Sequence, residues 1–317
     1  MQDAQTGVHG GAETILQTCA GLKEGERILI AFDSNDARVQ KLSAAANELL
    51  TTVTTEEIRG QVTREPPQNV AKRMLENDIT LFCVNEQRTL LWGHADAKVA
   101  AIKKGSRVLF LTQGIEDTPS PPDLHRIKER SHKLGDILER TSEVRLVTDG
   151  ASQLDIRLAR RKSLRLSSIL SAPGSWGAIP DYAEAAMAPL ETGSNGTIRI
   201  NGMIVGIGKV DSPVDLRFEA GKLVKISGGR VASEFEKLLS EYDDSARVLC
   251  ELGFGTNHLR REVRGEFDDK KALGSIHIAL GDNHTFGGEN RSNLHIDCLV
   301  VDPQVYFDGK AFDLKSL

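Results

Sequence analysis

The sequence predicts an N-terminal α/β domain with a mostly parallel sheet, followed by a C-terminal α+β domain whose antiparallel strands carry a metal site. Three observations predict it. Strand-length apolar runs alternate with helical periodicity over residues 1–142. From residue 143 the texture changes to short alternating runs separated by Gly and Asn. Three of the chain's eight histidines then fall within GSIHIALGDNHTFGGENRSNLHIDCLV, residues 274–300.

In the first half, RILIAFD (27–33) has the length of a strand, and Val39, Leu42, Ala46 and Leu49 of DARVQKLSAAANELL (36–50) recur at helical spacing. TTVTTEEI is β-rich. PPQNVAKRMLEND (66–78) has prolines where a helix begins and groups Val70, Met74 and Leu75 on one face. ITLFCV (79–84), a helix from Ala95 to Lys104, and RVLFLT (107–112) continue the alternation, which implies a sheet covered on both faces. TPSPPD (118–123) reads as a loop and HRIKERSHKLGDILERT (125–141) as a helix, so the domains are 1–142 and 143–317.

In the second half VRLVTD, LDIRLAR, NGTIRINGMIVGIG and LRFEAGKLVKISGG alternate as half-buried strands do. Asn195-Gly196, Asn201-Gly202 and Ala220-Gly221 sit where hairpin turns need positive φ. A helix, ASEFEKLLSEYDD (232–244), interrupts the strands.

Composition excludes several classes. With 39% apolar and 27% charged residues the chain reads as globular, and no apolar run approaches the ~20 residues of a membrane span. Its first residues lack a basic segment followed by an apolar core, so a cytoplasmic location without membrane association is expected. A net charge of -5 gives no nucleic-acid footprint, and the basic stretch DIRLARRKSLRL (155–166) reads as strands with one wet side. Cys19, Cys83, Cys250 and Cys298 are scattered and read as small buried residues. FDSNDAR lacks phosphate-binding glycines, and no G-x-S-x-G elbow occurs.

The histidines are more informative. In SIHIAL, His277 points to the face opposite Ile276 and Ile278. In LHIDCLVV, His295 and Asp297 share a strand face about 7 Å apart, a workable ligand pair. The polar loop between them offers Asp282, His284 and Glu289; upstream, PDYAEAAMAPLE supplies Glu184. VLCELGFG contains Glu251, a charge that is costly inside a sheet unless it is paired with an arginine such as Arg260 or Arg261, or binds a cation. Imidazoles and carboxylates together suit zinc, manganese, cobalt or iron(II). His94, before a helix in LLWGHADAK, reads as a capping or packing residue.

LWGHADAKVAAIKKGSRVLFLTQGI, IPDYAEAAMAPLETGSNGTIRINGMI, ELGFGTN, HIALGDNHTFGG and HIDCLV, in this order, resemble the thermophilic metalloaminopeptidase family of the aminopeptidase T type over most of the chain. The resemblance implies two divalent ions (zinc, cobalt or manganese) held by Glu184, Glu251, His277, His295 and Asp297, with Glu251 bridging. It also implies Glu184 and His284 as catalytic residues, a small peptide or amide substrate, and a homodimer. Two such ions would activate water and draw on the scissile carbonyl. His284 stands where the family peptidases carry a tyrosine, and the stretch between His277 and His295 is shorter than theirs.

Two alternatives stand beside the hydrolase. The scaffold also resembles pyridine-ring-cleaving dioxygenases that hold one iron(II), for which His277, His295 and Asp297 would be the ligands. The presence of both Glu184 and Glu251 weighs towards the hydrolase, since a one-iron site needs no further carboxylates. A catalytically silent member of the scaffold is the third reading.

Overall fold

The apolar runs of the first half become parallel strands, as their unbroken hydrophobicity requires. In the computed structural model, which describes residues 10–150, 152–158, 160–180, 182–260 and 267–317, β1 (Arg27–Asp33), β2 (Thr52–Ile58), β3 (Ile79–Cys83) and β4 (Arg107–Leu111) are joined through helices. These are α1 (Arg38–Glu48), α2 (Gln68–Glu76), α3 (Glu86–Trp92) and α4 (Asp96–Lys103). Every residue of β3 and β4 is buried, the signature of strands covered on both faces. In α2 Val70 and Met74 are buried, whereas Leu75 is exposed, because it lies a further 100° round the helix from Met74. Ala95 is the N-cap of α4 without a side-chain bond of its own, and the adjacent His94 is exposed, so it does not pack in a core.

The helix after β4, α5 (Pro121–Arg140), starts earlier than the sequence suggests. Its prolines occupy the first turn, where a missing N–H costs nothing, so TPSPPD is a helix start rather than a loop throughout. After β5 (Glu143–Thr148), β6 (Ser152–Leu158) and β7 (Leu164–Ser167), the strand β8 (Trp176–Ile179) joins the first sheet beside β4. That sheet has the order β2-β1-β3-β4-β8 and is parallel throughout.

By its internal contacts the chain forms two units, Met1–Lys128 with Ser167–Tyr182, and Glu129–Leu166 with Ala183–Leu317. The first boundary between these units follows Lys128. It lies within α5, and the first unit reclaims the segment containing β8, because a strand belongs to the sheet it pairs with and not to its neighbours in sequence.

The second unit is built from antiparallel strands: β9 (Ala183–Met187), β10 (Pro189–Ile200), β11 (Met203–Ile204), β12 (Gly208–Lys209), β13 (Val214–Glu219) and β14 (Lys222–Ser227). The helix α6 (Arg230–Leu239) precedes β15 (Leu249–Gly255), β16 (Ile276–Gly281), β17 (His295–Val300), β18 (Gln304–Phe307) and β19 (Lys310–Phe312). Two seven-stranded sheets result, ordered β14-β13-β10-β6-β5-β18-β19 and β12-β11-β17-β16-β15-β9-β7. In β6 Ile156 and Leu158 are buried between exposed or half-buried polar residues, the one-sided wetting expected for its basic stretch.

Of the three dipeptides expected at hairpin turns, Ala220-Gly221 makes one, joining β13 to β14 with φ of 46° and 78°. Gly196 lies inside β10, between Leu154 and Phe218, where a Cβ would stand 2.2 Å from the Gln153 carbonyl oxygen. Glycine is needed there for backbone approach. Asn201-Gly202 links β10 to β11 across two different sheets, so it is no hairpin either.

The second sheet has two buried faces. Leu252, Phe254, Ile276, Ile278, Leu280, Ile296, Cys298 and Val300 pack in one apolar core with Phe235 and Leu239 of α6. Full burial of each large side chain there contributes about 1.5–3 kcal/mol. The four cysteines are free and buried, and among the described residues no helix is long and apolar enough to cross a membrane.

Candidate metal centre

The opposite face of that sheet carries the polar residues, and the period of two explains why. With Leu252 and Phe254 turned to the core, Glu251, Gly253 and Gly255 of β15 project to the other side. The same alternation brings His277, Ala279 and Gly281 of β16, His295 and Asp297 of β17, and Glu184 and Ala186 of β9 to that side. The register interleaves large and small: Gly253 lies across from His277 and Ala186, Ala279 from Glu251 and Asp297, Gly255 from Glu184, and Gly281 from His295. Each functional side chain thus has a glycine or alanine across from it on one neighbouring strand, and His277 has Leu299 across from it on the other.

Five expected ligand residues meet here, on four adjacent strands. His277 Nε2 lies 3.2 Å from Glu184 Oε2 and 3.4 Å from Glu251 Oε1; His295 Nε2 lies 3.1 Å from Glu251 Oε2 and 3.5 Å from Asp297 Oδ1. Glu251 therefore reaches both imidazoles. Donor atoms of Glu184, Glu251 and His277 all lie within 4.8 Å of one another, as do those of Glu251, His295 and Asp297. Glu251 is not answered by Arg260, which pairs with Asp268 at 3.6 Å; Arg261 lies outside the described residues.

A divalent cation fits these residues. Both ring nitrogens of the fully buried His277 lack a partner in hydrogen-bond geometry among the described residues, a costly arrangement unless something else binds them. His295 is oriented for ligation, since its Nδ1–H donates to the Asp282 carbonyl at 2.8 Å and leaves Nε2 turned to the carboxylates. Asp282 also accepts through Oδ1 from His284 Nδ1 at 2.6 Å. His284 is thus linked through Asp282 to His295, on a short turn beside Phe286, whose ring meets His295 edge-on at 5.9 Å. Glu289 lies elsewhere, its N–H bound to Glu191 Oε1 at 2.7 Å.

Two residues that the sequence reading passed over complete the cluster. Lys271 places Nζ on Glu184 Oε2, and Lys270 places Nζ on Asp297 Oδ2. In DDKK both look like part of a solvated charge run, yet both are buried, Lys271 entirely. The available signal was the apolar ALGSIHIAL immediately downstream, which ties the pair to a core strand.

The charges sustain one another. Burial alone would raise the Glu184 carboxyl, but Lys271 and His277 hold it down to about 2. Burial opposes ionisation of Glu251 and Asp297 as well, and is outweighed by His277 and His295 at the first and by Lys270 and His295 at the second. Lys271 is lowered by burial, which the Glu184 charge only partly offsets.

The family described as NicX: 2,5-dihydroxypyridine 5,6-dioxygenase matches residues 12–313. Among solved structures, the 2,5-dihydroxypyridine dioxygenase of Pseudomonas putida KT2440 superposes with a TM-score of 0.77 at 18% identity, over 96% of this chain and 94% of that one. Wild-type AmpT from Thermus thermophilus follows with a TM-score of 0.69 at 16% identity, over 97% of each chain. No curated protein matches by sequence. The likeness to aminopeptidase T is thus a likeness of fold.

These matches overturn the expected metallo-hydrolase, and with it the aminopeptidase activity. The weight that Glu184 and Glu251 lend to a hydrolase over a one-iron enzyme supposes that neither carboxylate has another cationic partner. In the structure Glu184 already has a cationic partner in Lys271, so counting carboxylates without the lysines miscounted the charge.

Proposed function

The chain belongs to the NicX, 2,5-dihydroxypyridine 5,6-dioxygenase family, and on that premise we propose that it is an iron(II)-dependent dioxygenase that opens the ring of a dihydroxypyridine. The observation that carries this reading is the family match across residues 12–313. The residues support it. His277, His295 and Asp297 are the two imidazoles and one carboxylate from which non-haem iron(II) oxygenases build their site, and they would hold the ion together with Glu251, whose carboxylate reaches both imidazoles. Bound iron(II) supplies the one-electron chemistry through which dioxygen reacts with an aromatic ring.

The chain's own groups do the rest. Dioxygen adds across ring carbons 5 and 6 and the bond between them breaks, so both oxygen atoms enter the product and no co-reductant is consumed. A ring hydroxyl must give up its proton for this. His284 is the proton acceptor in this reading: with Nδ1–H committed to Asp282, its Nε2 is the free basic atom. Phe286, edge-on to His295, would lie beside the reacting ring and offer it an apolar contact.

The test uses protein purified under nitrogen, loaded with iron(II) and mixed with 2,5-dihydroxypyridine in an oxygen electrode. About one dioxygen should be consumed per ring opened, with both atoms of labelled dioxygen in the product. Iron-loaded protein that takes up no oxygen in response to the substrate overturns the reading. His284→Phe should keep its iron and lose roughly 100-fold in kcat; an unchanged kcat would place residue 284 outside the chemistry.

A further inference from the structure

By donor geometry alone the cluster could hold two ions, because the Glu184, Glu251, His277 group and the Glu251, His295, Asp297 group share only Glu251. The lysines change that count. Both come from one turn, Phe267–Lys271, fixed against the end of β15. The Lys271 carbonyl accepts from Asn257 N–H at 2.9 Å, and Ser275 Oγ donates to the carbonyls of Lys270 and Ala272 at 3.1 and 2.7 Å. A Cβ at Gly255 would come within 2.6 Å of the Lys271 carbonyl carbon, so the turn reaches its place only because that strand position is bare. These ammoniums belong to the scaffold, and a fully buried lysine persists only against an opposite charge.

We propose that Lys271, with Lys270 beside it, takes the place of a second divalent cation in this cluster and so restricts it to a single ion, a proposal that rests on the one-iron reading above. The balance of charge supports it. Three buried carboxylates face two ammoniums, leaving one net negative charge, and a single divalent ion brings the cluster to one net positive charge. A second ion would bring the cluster to three net positive charges among groups that are mostly buried. Glu184 Oε2, the atom nearest His277, is also the one that Lys271 contacts, so an ion between Glu184 and His277 would meet the ammonium. Glu184 is on this account the partner of Lys271 and no ligand of the bound ion.

The test counts ions without reference to turnover, by calorimetric titration of metal-free full-length protein with cobalt(II) and elemental analysis of the product. Wild type should bind about one cobalt per chain, Lys271→Met about two, and the neutral pair Glu184→Gln with Lys271→Met about one, with affinity within roughly threefold of wild type. Recovery of folded Lys271→Met only when two ions are bound supports the proposal equally. It is overturned if Lys271→Met stays at one ion, if cobalt does not bring that variant to the folded state while the double variant folds, or if the double variant loses the ion or the fold. Two ions on wild type would instead overturn the one-iron reading from which the proposal starts.

Discussion

At position 253 the absence of a side chain is what seats a histidine. A Cβ there would stand 2.1 Å from His277 Cε1 and 2.2 Å from Nε2, closer than any real contact. Gly253→Ala should therefore displace the imidazole, lower divalent-metal affinity at least about tenfold and cost about 1–3 kcal/mol of stability, read by metal titration and denaturant unfolding. Affinity left unchanged would mean that His277 does not hold the ion. Glu251→Ala should also lose the metal, since the carboxylate that reaches both imidazoles would be gone; full occupancy in that variant would deny Glu251 any part in binding. At this scale His277, His295, Asp297 and Glu251 were legible, because strand periodicity is local and a charged residue in an apolar run stands out. Lys270 and Lys271 were not, since nothing within DDKK records that Glu184 and Asp297, distant in sequence, will lie against it.

One carboxylate from a distant strand is among the anchors of the loop between β16 and β17. Glu191 binds Arg161 at 2.8 Å and receives Asn283 Nδ2 at 3.1 Å as well as the Glu289 N–H. Burial would raise its carboxyl, but these partners hold it down to about 2. A depressed carboxylate stabilises the fold above its unfolded value of about 4.5, and that contribution is lost as pH falls towards 2. Hydrogen-exchange protection of the Glu289 amide should fall across that window in wild type; in Glu191→Gln it should be weak at neutral pH and flat on acidification. Protection that is the same in both chains would show that Glu191 does not anchor the loop. The Gly-rich composition announced a compact loop, but its anchor on β10, far back in the chain, was beyond any local pattern.

Across the whole molecule, a cation that binds the folded chain and not the unfolded one stabilises it by mass action, about 4 kcal/mol at a thousandfold excess over its Kd. The thermal midpoint of metal-free protein should rise with added iron(II) or cobalt(II) and return with a chelator; a midpoint that ignores both would exclude a metal centre. The sequence by itself determined the fold class, the parallel first sheet, the antiparallel second half and the strands that carry the histidines, because periodicities of two and 3.6 act between near neighbours. It also carried the likeness to a scaffold shared by peptidase and dioxygenase. Only the tertiary structure decided that β8 joins the first sheet, that Asn195-Gly196 is a close approach inside a strand, and that two lysines face two of the three carboxylates. Those outcomes depend on which distant segments pair, and the charge of a buried site is fixed by all the segments that meet there.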